Sequence, residues 1–78
     1  MPTVLRVEGY RFFFFSNETN EPPHIHVKQA ERYAKFWLDP VASARNISFR
    51  RSELTHLHRI VEERQEHLLA AWHEHFSD

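Results

Sequence analysis

Apolar and polar positions alternate from Thr3 to Val7 around Leu5, and a strongly β-prone aromatic run follows from Tyr10 to Phe15. Two such runs separated only by Glu8-Gly9 predict a β-hairpin with a two-residue turn. Gly9 is the single glycine of the chain, and it stands where the turn needs a positive φ. Pairing Val7 with Tyr10 sets Leu5 opposite Phe12, Thr3 opposite Phe14, Arg6 opposite Arg11 and Val4 opposite Phe13. Thr3, Leu5, Val7, Tyr10, Phe12 and Phe14 then share one face. Val4, Arg6, Arg11, Phe13 and Phe15 share the other. Rings project on both sides of this ribbon, and a single helix can cover only one.

Ser16 to Pro23 is polar and ends in a proline pair, so it reads as a loop with extended residues before each proline. Alternation resumes at His24 to Lys28, with Ile25 and Val27 on one side and His24, His26 and Lys28 on the other. Tyr33 to Leu38 forms the next strand after a turn near Gln29 to Glu31, and Asp39-Pro40 stops it. Residues 41 to 47 read as a connection, with a short strand or a turn as alternatives. Ser48 and Ser52 compete as N-caps of a helix, along which Leu54, Leu57, Val61, Leu68, Trp72 and Phe76 recur at helical spacing. The stripe is interrupted at Arg64-Gln65, a weak point where a bend or a split is one alternative, although no proline or glycine demands it. The fold predicted is one α+β domain over residues 1–78: a three- to four-stranded antiparallel sheet with a C-terminal amphipathic helix on one face, either continuous or bent or split near Arg64.

Seventy-eight residues fill one core only, and a domain of this size gains a narrow margin from burial over chain entropy. With no cysteine it has neither disulfides nor a thiolate metal site, which leaves aromatic packing and association as stabilisers and fits a reducing compartment. The start of the chain has no export-signal pattern, and no apolar run approaches the ~20 residues that span a bilayer. A cytoplasmic location without membrane contact is the expectation. Net charge is −1 with histidines neutral, against a chain dominated by nucleic-acid charge neutralisation. The distribution is uneven: residues 1–51 carry +3 and residues 52–78 carry −4. The sheet half is basic and the helical half acidic. Seven histidines add a term that grows below pH 6.

The opening Met1-Pro2-Thr3-Val4, the Glu8-Gly9 turn, the segment Pro22-Pro23-His24-Ile25-His26-Val27 and the late Leu68-Leu69 before Trp72 together resemble the bacterial domain-of-unknown-function family four-one-six-zero. Its members are short and carry a Pro-Pro-His-x-His-Val signature, and the resemblance covers nearly the whole chain. It implies a small bacterial cytoplasmic protein, often encoded beside a second small protein and so expected to act in a toxin-antitoxin-like pair. Ala30 departs from the pattern, standing where a glycine is typical, and Arg32 and Tyr33 follow it.

His24 and His26, two apart on a strand, present both imidazoles with Lys28. Histidine serves as acid and base near neutral pH, and a neighbouring cation helps to hold a phosphodiester. The pair is a hypothetical catalytic site. The competing reading is structural, with ring nitrogens bonded to carbonyls near the prolines. Metal is unsupported, for want of thiols or a His-Glu-x-x-His pattern, although Asp39 or Glu31 could be recruited; no metal or other cofactor is implied. Lys28, Arg50 and Arg51 are hypothetical phosphate or RNA contacts, the arginines beside a helix start, or else they pair with carboxylates. Arg6, Arg11, Phe13 and Phe15 form a candidate interface, with base stacking as the alternative. Tyr33 and Trp37 belong to that surface or to the core. The five helical histidines read as solvated. The functional expectation is a small protein-interaction module, as a homo-oligomer or with a small partner protein. The alternative is an RNA-binding or RNA-cleaving toxin-like protein using His24 and His26, and an antitoxin or regulator whose acidic helix masks a basic partner is a third reading.

Overall fold

The computed structural model describes residues 3–15 and 20–76. Within them the chain runs β1 (Thr3–Val7), β2 (Tyr10–Phe13), β3 (His24–Gln29), β4 (Arg32–Leu38), β5 (Val41–Ile47), α1 (Arg51–Glu63) and α2 (Gln65–Phe76). The strands form one antiparallel meander in the order β1-β2-β3-β4-β5. The fold is α+β with five strands and two helices, where the pattern of apolar positions had suggested three or four strands and a single helical segment. The additional strand is β5. Its sequence has no alternating apolar residues because it lies at the sheet edge with most of its residues exposed, and pairing with β4 rather than burial defines it.

The first hairpin closes through Glu8 and Gly9, with φ of 52° and 82°, the left-handed pair that a two-residue hairpin turn needs. A Cβ at position 9 would meet Gln29 Nε2 at 3.2 Å. Val7 faces Tyr10, Arg6 faces Arg11 and Leu5 faces Phe12 as the pattern predicts, but Thr3 faces Phe13 instead of Phe14. The register slips between Thr3 and Leu5. This bulge turns Val4 to the core and puts Thr3 on the opposite face, where its Oγ1 accepts from Arg11 Nε at 2.8 Å. The β3–β4 turn places Ala30 at φ 54°, in the region that glycine occupies with less strain. Alanine at this turn position leaves the β3–β4 register regular from His24–Trp37 to Gln29–Arg32. The predicted loop residues Ser16 to Thr19, and Met1 and Pro2 of the opening motif, lie outside the described residues.

Neither Ser48 nor Ser52 caps α1. Arg50 is the N-cap, and its N–H donates to the Glu53 carboxylate at 3.3 Å. Ser48 lies at φ 75° in the connection that brings Phe49 inward. Asn46 holds that connection, accepting from Phe49 N–H and donating to Phe49 O at 3.1 and 3.0 Å. The helical segment splits at Arg64, which decides between the continuous and the broken helix that its interrupted stripe left open. A continuous helix would carry Arg64 and Gln65 toward the apolar seam. The break instead lets Gln65 Nε2 donate to Leu38 O at 2.7 Å, satisfying a carbonyl at the end of β4.

The core lies between the helices and one sheet face. Phe12, Ile25, Val27, Ala34, Phe36 and Leu38 come from the strands, and Leu57, Ile60, Val61, Leu68 and Trp72 from the helices. Phe14 meets Trp72 edge-on at 5.4 Å. Arg32 donates to both Glu53 oxygens at 3.0 and 3.2 Å, and His56 bonds Glu8 at 2.9 Å; both tie α1 to the turn end of the sheet. Burial pushes the Tyr10 hydroxyl above its ordinary pKa of 10.0, with Glu53 and Glu8 adding to the rise and Arg32 opposing it. Among the described residues, no helix is long and apolar enough to cross a membrane.

Candidate functional site

The sheet face away from the helices is built in rows that follow from strand register. One row runs Arg6, Arg11, Lys28, Tyr33 and Ile47 across all five strands. The next runs Thr3, Phe13, His26, Lys35 and Arg45. His24, Trp37 and Ala42 begin the row after that. Adjacent strands lie ~4.8 Å apart, so Arg6, Arg11 and Lys28 stand side by side. Like charges directly opposite one another destabilise a sheet. Among the described residues, Arg6, Lys28 and Arg45 form no ion pair with any carboxylate. Lys35 is neutralised by Glu21 at 2.6 Å.

His26 is the centre of an aromatic cluster. Its ring lies 4.3 Å from Phe15, 5.4 Å from Phe13, 5.0 Å from His24 and 5.8 Å from Tyr33. Its Nδ1 shares a 2.6 Å hydrogen bond with the Tyr33 hydroxyl. His24 is wedged between Trp37 and Trp72, at 5.7 and 4.8 Å, with Nδ1 2.9 Å from Pro22 O. The two histidines are 0% and 2% exposed. Both imidazoles therefore do share a side, as a two-residue spacing on a strand requires, but they are interior groups that fix the platform around them. Phe13 is also interior, 3% exposed, under the Arg11 guanidinium at 4.7 Å. Among the described residues, Phe15, 37% exposed, and Ile47, 44% exposed, are the exposed large apolar side chains.

A groove of about 370 Å³ opens on this face between Arg11, Phe13, Phe15, Lys28, Ala30, Glu31 and Tyr33. It gathers three members of the expected interface with Lys28 of the expected phosphate set, and Arg6 adjoins it through the row. Arg50 and Arg51 are not part of it. They stand at the start of α1, and Arg51 lines a separate cleft with Phe36, Ser43 and His58 on the helical side. Sequence reasoning left out Lys35, Arg45 and Ile47. The signal for Lys35 was its alternation with Ala34 and Phe36 on β4, which puts it beside His26; Arg45 and Ile47 gave none, because β5 lacks an apolar period. Among the described residues no three His, Asp or Glu side chains converge to hold a metal ion.

The family model described as Domain of unknown function (DUF4160) matches residues 9–73. The chain belongs to this family. Its matched stretch begins in the Gly9 turn and ends near the close of α2, so four strands, both histidines and every residue lining the groove lie within the DUF4160 region, while β1 with Arg6 lies before it. Neither the curated proteins nor the solved structures give a match.

Proposed function

We propose that this DUF4160 protein is a small binding module whose working surface is the helix-free face of the sheet, and whose partner is acidic. The observation that carries the reading is the row Arg6-Arg11-Lys28, three cations in register on neighbouring strands. Such a row lowers the stability of the free sheet and is relieved when negative charge is laid over it. The exposed Phe15 and Ile47 supply apolar contact area beside it. The family resemblance supports a setting in which two small bacterial proteins act as a toxin-antitoxin-like pair, with an acidic partner protein or an RNA strand on this face. A homodimer made by stacking two such faces is disfavoured, since the symmetry would bring the same cations together.

The burial of His24 and His26 supports a structural role for them in this module, holding Phe13, Phe15 and Tyr33 in place. The test is co-expression and pull-down with the protein encoded beside this one, using the wild type and an Arg6→Glu/Lys28→Glu variant. Light scattering on the purified chain runs in parallel. The expected result is capture by the wild type and loss of capture in the charge-reversed variant, with unchanged circular dichroism. Equal capture by both, or a stable dimer that persists in the variant, would place the working surface elsewhere.

A further inference from the structure

Charge and aromatic rings are interleaved on the open face in a way that an acidic protein surface does not require. The groove presents flat rings, Phe15 and Tyr33, next to Arg11 and Lys28. Further along, the Lys35 ammonium lies over the Trp37 ring at 4.6 Å, and Arg45 stands beside Lys35 in its row. Planar rings offer a stacking surface for unpaired bases, and cations one strand apart follow a phosphate backbone. A helix-backed antiparallel sheet with rings on its open face is also the layout of a common single-strand RNA-binding module. The acidic residues of the helical half, Glu62, Glu63, Glu66 and Glu74, lie on the other layer, so a polyanion is repelled there and drawn to the sheet.

We infer that the groove binds single-stranded RNA, with Arg6, Lys28 and Arg45 on phosphates and Phe15 and Tyr33 under bases. This rests on the open-face reading and names its occupant. Glu31, which also lines the groove, is unfavourable to phosphate and sets one limit on affinity.

The experiment is fluorescence anisotropy with a labelled single-stranded 12-nucleotide RNA of mixed sequence, titrated over a range of salt. The same strand annealed to its complement, a DNA strand of the same sequence and poly-L-glutamate serve as the other probes. The wild type should bind the single strand with a dissociation constant of roughly 1–100 μM at moderate salt, with a log-log salt slope of about −2 for three phosphate contacts. Lys28→Gln and Arg6→Gln should each flatten the slope by about 0.7. Phe15→Leu, which keeps apolar bulk and removes the flat ring, should weaken binding about 10-fold, and Glu31→Gln should tighten it. Thermal melts establish that each variant is folded.

Several results would overturn the inference. One is tight binding of poly-L-glutamate, sensitive to Arg6 and Lys28, with none of RNA; the open-face reading then stands with an acidic protein as occupant. Another is RNA binding indifferent to all four substitutions, or equal binding of the duplex. The last is binding of none of the probes, which removes the anionic partner as well. Stronger binding of the DNA strand would reassign the ligand to single-stranded DNA.

Discussion

The two faces of one sheet obey opposite rules, and the adjacent residues Phe36 and Trp37 show the contrast. Phe36 is fully buried beneath the helices, its ring 6.2 Å from His58. Trp37 points the other way, half-buried, edge-on to His24 and under the Lys35 ammonium. The covered face is closed by complementary apolar surface, with Leu57, Val61 and Leu68 meeting Val27, Phe36 and Leu38. The open face buries its rings mostly against each other, with Trp72 of α2 reaching His24 at one end, and surrounds them with cations. One side is finished within the chain, and the other leaves the cations Arg6, Arg11 and Lys28 in one row across neighbouring strands. On the proposed reading, like charges in register on this face answer to a partner and not to folding.

The largest expected effect tests that contrast directly. Phe36→Ala should lower the unfolding free energy by about 3–5 kcal/mol, because the helices and sheet cannot collapse into the space left. Trp37→Ala should cost clearly less, since its ring already meets solvent. Urea denaturation of both variants is the measurement, and equal losses would mean that the open face is a second core.

A smaller effect should come from Tyr33→Phe, which deletes the 2.6 Å bond to the interior His26. About 1–3 kcal/mol is expected, read from the same titrations. A neutral result would show that the aromatic packing alone holds the imidazole. Smallest is Lys28→Gln, with the opposite sign: relief of repulsion from Arg11 should stabilise the free protein by a few tenths of a kcal/mol at low salt, and the gain should fade as salt screens the row. Loss of stability would instead make Lys28 a structural residue and weaken the case for an acidic partner.

Local pattern alone located β1 to β4, the Gly9 turn, the apolar stripe of the helices and its weak point at Arg64, because each of these is set by which neighbouring side chains can be buried at a period of 2 or 3.6. The Pro-Pro-His-x-His-Val run marked the centre of the candidate face, since spacing on a strand forces His24 and His26 to one side. Three-dimensional pairing decided the rest. The bulge that exchanges Thr3 and Val4 between faces, and the existence of β5, depend on hydrogen-bond partners distant in the chain, to which local alternation is blind. The interior placement of His26 depends on three aromatic residues from β2, the segment after it and β4 converging on its ring, and that of His24 on Trp37 and Trp72 from β4 and α2. The cation row exists only once three strands are in register. Residue types foretold that arginines and rings would share a surface; the sheet alone determined which of them stand together, because neighbourhood across strands is a property of register and not of sequence distance.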